Sequence, residues 1–368
     1  MEKNIVSSKQ LSYIMILFIL GSSLITGTGS VGKQDSWICI IIGMFMAIPL
    51  VLIYSRISKL FPQKNIYDII YHIFGKTIAT IICILYIFYS IQLGAAVIRN
   101  FTEYIQITSL PETPQYIFAI FMGAICFWTL KHGIESLGRG CIIVLPIVVL
   151  IVLFTIVFTI KDMNLSNLKP ILGQDFKTIL SGSFGALTFP FGEVVLFMVV
   201  LSSLKPKESP YKVYLKSIFI GGFILVIAMI RNILVLGVPI MDSLHFPSYY
   251  TASILDIGDF VSRIEILIAG NFIISGLVKI TICLYASVKG VARIFKIDNF
   301  KQIIAPIVLF MIVLSQLIYT NTMQMFEFIK TTDYYFSIFQ IVLPIIILIF
   351  SEVKVRKNKK ALKCDQVF

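Results

Sequence analysis

Apolar residues run along this chain in blocks of about 18 to 25, separated by short polar connections, with no sustained alternation of the kind a half-buried strand shows. Each block is long enough to cross a hydrocarbon core of roughly 30 Å as a helix rising 1.5 Å per residue. The blocks fall at about residues 11–31, 37–55, 78–98, 115–131, 140–160, 179–204, 214–237, 263–287, 303–321 and 334–352. This predicts ten transmembrane helices in an all-α membrane protein, with residues 1–368 forming one domain. The first block, flanked by Lys3 and Lys9 and ending in small residues, also resembles a signal peptide, but no A-x-A-like cleavage site follows it.

Composition narrows the class. The chain is 58% hydrophobic and 14% charged, too little polar surface to keep 368 residues in water. Its net charge of +12 follows from orientation. With the amino terminus in the cytoplasm, 22 of the 31 Lys and Arg fall in cytoplasmic segments: Lys3 and Lys9, Arg56 to Lys76, Lys131 and Arg139, Lys205 to Lys216, Lys289 to Lys301, and Lys354 to Lys363. Both termini are then cytoplasmic, and the basic tail 353–368, with "KVRKNKK" at 354–360, is expected to lie against anionic lipid headgroups rather than nucleic acid. The cysteines at 39, 83, 126, 141, 283 and 364 form no C-x-x-C pair and read as small packing residues. His72, His132 and His245 have no partner ligands nearby in sequence, so no metal site is expected. Neither a nucleotide-binding loop, nor H-E-x-x-H, nor a serine elbow occurs, so no catalytic residue, enzyme activity or cofactor is expected.

Two blocks contain their own breakers. The first carries "LGSSLITGTG" (20–29), and the sixth carries "GALTFPFGE" (185–193). Glycine weakens a helix interior by about 1 kcal/mol relative to alanine, and hydroxyls compete for backbone hydrogen bonds. These blocks are the first members of two five-helix halves, about 11–160 and 179–352, and an odd number of crossings makes the second half inverted. Paired interrupted helices in inverted halves point to a ligand site near the midplane. Gly21 and Glu193 each lie about 12 residues, roughly 18 Å of helix, from the basic flanks at Lys9 and Lys205. The small residues would equally serve close helix packing.

An unwound turn frees N–H and C=O groups that a polar ligand can satisfy. Gly21, Ser22, Ser23, Leu24 and Thr26 on one side, and Thr188, Phe189, Pro190 and Glu193 on the other, are the candidate ligand-binding residues, with Tyr89 as a wall. A midplane carboxylate is costly unless paired, hydrated or protonated. Glu193 is therefore expected to receive a ligand ammonium, relay a proton or pair with Lys279, which lies roughly 15 Å deep. Tyr86, Ser90 and Gln92 are further candidate walls. Arg99 and Glu103 are spaced to pair on one helical face, Arg263 and Glu265 mark the outer end of the eighth block, and Arg231, beside Asn232, is expected to snorkel outward or meet an outer carboxylate. The stretch 238–262, "VPIMDSLHFPSYYTASILDIGDFVS", reads as an ordered cap or interfacial helix, with a flexible loop as the alternative.

Together these motifs resemble the spore germination permease family, the B subunits of germinant receptors. "LGSSLIT" (20–26) is similar to the family's first-helix turn, "NLKPILG" (167–173) to the segment before helix six, "FPFGEVVLF" (189–197) to its helix-six motif, and "RIE" (263–265) to the start of helix eight. The resemblance implies the amino acid-polyamine-organocation superfamily fold, a LeuT-like 5+5 inverted repeat with helices 1 and 6 discontinuous. It also implies a spore inner-membrane location and assembly with an A subunit and a C-subunit lipoprotein. It further implies nutrient sensing, with a small germinant, an amino acid, bound between the broken helices. Where relatives commonly carry glycine or alanine, this chain has Ser22 and Ser23, which narrows or hydrates the pocket. The rival expectation is a proton- or cation-coupled amino-acid transporter with Glu193 or Lys279 as coupling group, and a scaffold or ion-release channel is a third class.

Overall fold

The computed structural model describes residues 5–254 and 264–364. These residues form α1 (Ser8–Leu20), α2 (Ser23–Thr26), α3 (Ser36–Leu60), α4 (Ile66–Thr108), α5 (Gln115–His132), α6 (Ile134–Thr159), α7 (Phe176–Ala186), α8 (Phe197–Val200), α9 (Pro210–Ser243), α10 (Pro247–Ser253), α11 (Ile264–Phe295), α12 (Ile304–Leu317), α13 (Thr322–Ser337) and α14 (Leu343–Cys364). Eight helical stretches among the described residues are long and apolar enough to cross a membrane, so the chain is a multi-pass membrane protein. The predicted blocks outside those eight are the first, where α1 has only 13 residues, and the fourth, whose α5 ends in Lys131 and His132.

The centre of the bundle is legible from burial. In the apolar windows of Phe176–Ser203 and Ala269–Phe295, 83% of residues are buried, against 28% in Ile134–Asp162 and 33% in Phe300–Leu317. The latter two helices therefore form the lipid-facing rim, with Ile143, Leu150 and Leu309 exposed. A helix apolar on every side belongs in the core, and α1 is one: its residues Ile14 to Leu20 are fully buried against α6, α9 and α11. Ser7 caps α1 in a reciprocal capping box with Gln10, and the preceding Val6 pairs with the chain after α8 through Val6 N–H to Ser203 O (2.8 Å) and Lys205 N–H to Val6 O (3.2 Å). The ends of α1 and α8 are thereby tied together.

Both breaker stretches depart from α-helical geometry. Gly21, which ends α1, sits at φ −2°, ψ −114°, and α2 stops at Gly27, with φ 74°. After α7, residues Leu187–Phe191 form a widened π-type turn in which Phe189 has φ −134°, ψ 109°, and Gly192–Leu196 tighten into a 3₁₀ turn. Pro190 has no N–H to donate, which removes a rung of the helical ladder there.

Several boundaries differ from the sequence reading. The polar gap 56–77 is mostly helix, because Ile66, Tyr67, Ile69 and Ile70 bury one face, and Gly75 (φ 73°) then bends the chain into the rest of α4. The tenth block is not one regular helix: a π-type turn at Ile338–Val342 separates α13 from α14. Of the stretch 238–262, residues 238–254 are ordered, with α10 packed on α2, α9 and α11, and the remainder lies outside the described residues. Arg263 and the side chain of Glu265 also lie outside the described residues. Within "NLKPILG", Asn167 donates to Leu234 O (3.0 Å) and Leu172 N–H to the buried carboxylate of Asp35 (2.8 Å), which also accepts from the N–H of the following Gln174 (3.1 Å). That segment is thus fastened to α9 and to the turn before α3.

Candidate functional site

Glu193, in the 3₁₀ turn after the sixth-block break, meets Lys279, on the centrally buried α11. Lys279 Nζ lies 2.5 Å from Glu193 Oε2, and neither side chain has any exposed surface. The ammonium also lies 3.5 Å from Ser22 Oγ, the outer limit of a hydrogen bond, and over the rings of Phe18 (5.3 Å) and Phe189 (4.8 Å). Gly21 is what admits it: a Cβ there would come within 2.9 Å of Lys279 Cδ and 3.0 Å of Phe18 O. Glu193 Oε1 has no hydrogen-bond partner. Taking both charges out of water costs several kcal/mol per ion, which only close pairing offsets.

A second cluster adjoins the first. Gln340, from the π-type turn between α13 and α14, donates its amide to Tyr89 Oη (2.9 Å) and to Thr188 O (3.0 Å). Tyr89 in turn is stacked on Phe339 and meets Phe336 edge-on. Thr188 Oγ1 donates to Asp333 on α13 (2.6 Å), so α13 is latched to the π-type turn. Between these groups lies a cavity of about 40 Å³, walled by Ser22, Asn100, Phe189, Glu193, Asp333 and Phe336. It has room for water but not for an amino acid.

The family model for spore germination proteins matches residues 5–325. The chain belongs to the spore germination protein family. Spore germination protein KB of Bacillus subtilis (strain 168) is 28% identical to it, over 98% of each chain. YndE of the same organism is 26% identical, covering 79% of this chain and 81% of its own. Spore germination protein XB of Bacillus anthracis is 22% identical over 89% and 90%. Among solved structures, MhsT in complex with L-phenylalanine superposes with TM-score 0.68 at 12% identity, covering 92% of this chain and 87% of that one. Mhp1, a nucleobase-cation-symport-1 family transporter in a closed conformation with bromovinylhydantoin bound, gives 0.61 at 12% identity over 93% and 77%. The germination family member therefore has the fold of these transporters.

In this germination family member, the sequence-chosen residues fall into separate places. Gly21, Ser22, Phe189, Glu193 and Lys279 converge at the ion pair, and Tyr89 and Thr188 join through Gln340. Pro190 is buried in the π-type turn. Ser23 and Leu24 instead face a void of about 10 Å³ beside Thr28 and Asn232, and Thr26, whose hydroxyl donates to Ser22 O (2.9 Å), lines a vestibule of about 970 Å³. Tyr86 donates to Phe339 O (3.2 Å), Ser90 bonds Ser287 (2.8 Å), and Gln92 accepts from Tyr335 (2.8 Å), so these three hold helices together. Arg99 and Glu103 pair at 3.1 Å, with Gln115 also donating to Glu103 (2.7 Å). Arg231 does not snorkel and meets no carboxylate among the described residues: it is buried, donating to Thr155 and Asn232, because α6 and α10 close over it. Sequence reading missed Gln340, Asp333 and Asn100. Gln340 carried a signal, as a lone amide in the apolar run 338–350.

Proposed function

We propose that this protein is the nutrient-sensing B subunit of a germinant receptor, a transporter-like subunit that binds a small germinant, an amino acid, between the two interrupted helices. The observation that carries the reading is the solvent-free Glu193–Lys279 pair set against the Gly21–Ser22 turn. In this reading the bundle comprises ten crossings in two inverted halves, with both termini cytoplasmic in the spore inner membrane. It works with an A subunit and a C-subunit lipoprotein, and it catalyses no reaction. Family membership and the transporter fold support it.

The pair acts as a latch. With about 40 Å³ free beside it, the site is closed to an amino acid, so a germinant must bind an arrangement in which Glu193, Lys279 and the Thr188–Asp333 contact have moved apart. A ligand shifts that equilibrium only as far as its affinities for the two arrangements differ. Germination assays on spores carrying Gly21→Leu or Glu193→Ala test the assignment. The expected outcome is loss of the nutrient response with the receptor still assembled, and a normal response in both variants would remove the site.

The fold shared with MhsT and Mhp1 favours a second reading, a proton- or cation-coupled amino-acid transporter. Uptake into liposomes separates the two. Gradient-driven saturable flux selects the transporter, and germinant binding without flux selects the sensor.

A further inference from the structure

Three cationic side chains are buried among the described residues: Arg99, Lys279 and Arg231. Arg99 has Glu103 and Lys279 has Glu193. Arg231, only 4% exposed on α9, has no carboxylate partner among the described residues. Its guanidinium donates through Nη1 to Thr155 Oγ1 (2.6 Å) and through Nε and Nη2 to Asn232 Oδ1 (3.2 and 2.7 Å). Those bonds use three of the five N–H donors, and a neutral amide and a hydroxyl do not cancel a buried charge.

Beside the guanidinium is a cavity of about 20 Å³, walled by Leu24, Thr155, Ser248, Asn271 and Phe272. That is room for one or two water-sized groups. Asn271 leaves its Oδ1 without a partner, so a water accompanying an ion has an acceptor there. The small void near Ser23 has the lining residue Leu24 in common with this cavity and Asn232 in common with the vestibule of about 970 Å³.

We infer that the Arg231 cavity is a binding site for a small monovalent anion of halide size. The site supplies what the other two buried cations already possess. It is also wired to α2: Asn232 Nδ2 donates to Ser248 Oγ (2.9 Å), and Ser248 Oγ donates to the carbonyl of Leu24. An anion that draws the guanidinium toward itself loosens its hold on Asn232 and, through Ser248, on the broken first helix. The site is separate from the Glu193–Lys279 pair and stands whether or not that pair binds a germinant.

The test uses the purified full-length protein, thermally unfolded at constant ionic strength while chloride or acetate replaces gluconate. A ligand that binds only the folded state raises the melting temperature saturably. The expected result is a saturable rise of a few degrees with chloride, absent with acetate and lost in Arg231→Met. An equal rise with acetate, no saturable rise with chloride, or an unchanged rise in Arg231→Met overturns the proposal. If Arg231→Met does not fold, crystals of the wild-type protein in bromide decide: anomalous density within hydrogen-bond distance of the guanidinium supports the site, and its absence at saturating bromide refutes it.

Discussion

Lys279 and Arg231 are both buried cations beside the α1–α2 segment, yet the bundle treats them oppositely. Lys279 reaches a carboxylate at 2.5 Å with two aromatic faces around it, whereas Arg231 is met only by neutral donors and acceptors and a small void. A compensated pair resists change, because removing either partner strands a charge. An uncompensated cation is different: it stays costly until an external partner arrives, and so it can report one. The same helical bundle thus contains a latch closed by the protein's own charges and a second position left for charge from outside.

Replacing each cation by methionine tests that difference. Lys279→Met leaves Glu193 buried without a counter-ion and is expected to cost about 3–5 kcal/mol in thermal or denaturant unfolding, largely recovered by adding Glu193→Leu. Equal stability of the single and double variants would mean that Glu193 does not depend on Lys279. Next in size, Gln340→Leu removes the donor to Tyr89 and Thr188 O and is expected to cost about 1–3 kcal/mol by the same measurement. Arg231→Met, made in chloride-free buffer, is expected to stay within about 1 kcal/mol of wild type, since lost hydrogen bonds are offset by removal of a stranded charge. A cost there as large as that of Lys279→Met would show a counter-ion already in place. Smallest is Arg139→Ala, which opens an exposed pair at 3.6 Å and is expected to change stability by under about 0.5 kcal/mol.

Much of the membrane architecture was legible in the pattern of apolar blocks, because a hydrocarbon core imposes a minimum length on any helix that crosses it. The two breakers were legible as well: glycines, hydroxyls and a proline inside such a block announce themselves. Gln340 was visible as a lone amide but lacked an assigned use, since its partners Tyr89 and Thr188 are 251 and 152 residues away. The π-type turn that aims it has no breaker of its own, with Pro344 two residues beyond its end. Arg231 was judged by its distance from a block end, which says nothing about whether α6 and α10 cover it.

Residue order was enough for the membrane class, for the places where two helices lose their regular ladder, and for singling out the charged residues inside apolar blocks. These are local properties, set by side-chain hydrophobicity and backbone preference over a few turns. Which charges neutralise one another came from the folding of the bundle. It put Lys279 against Glu193 across 86 positions and gave Arg231 no carboxylate among the described residues, because electrostatic energy depends on distance and burial in three dimensions, and neither is written in the order of residues.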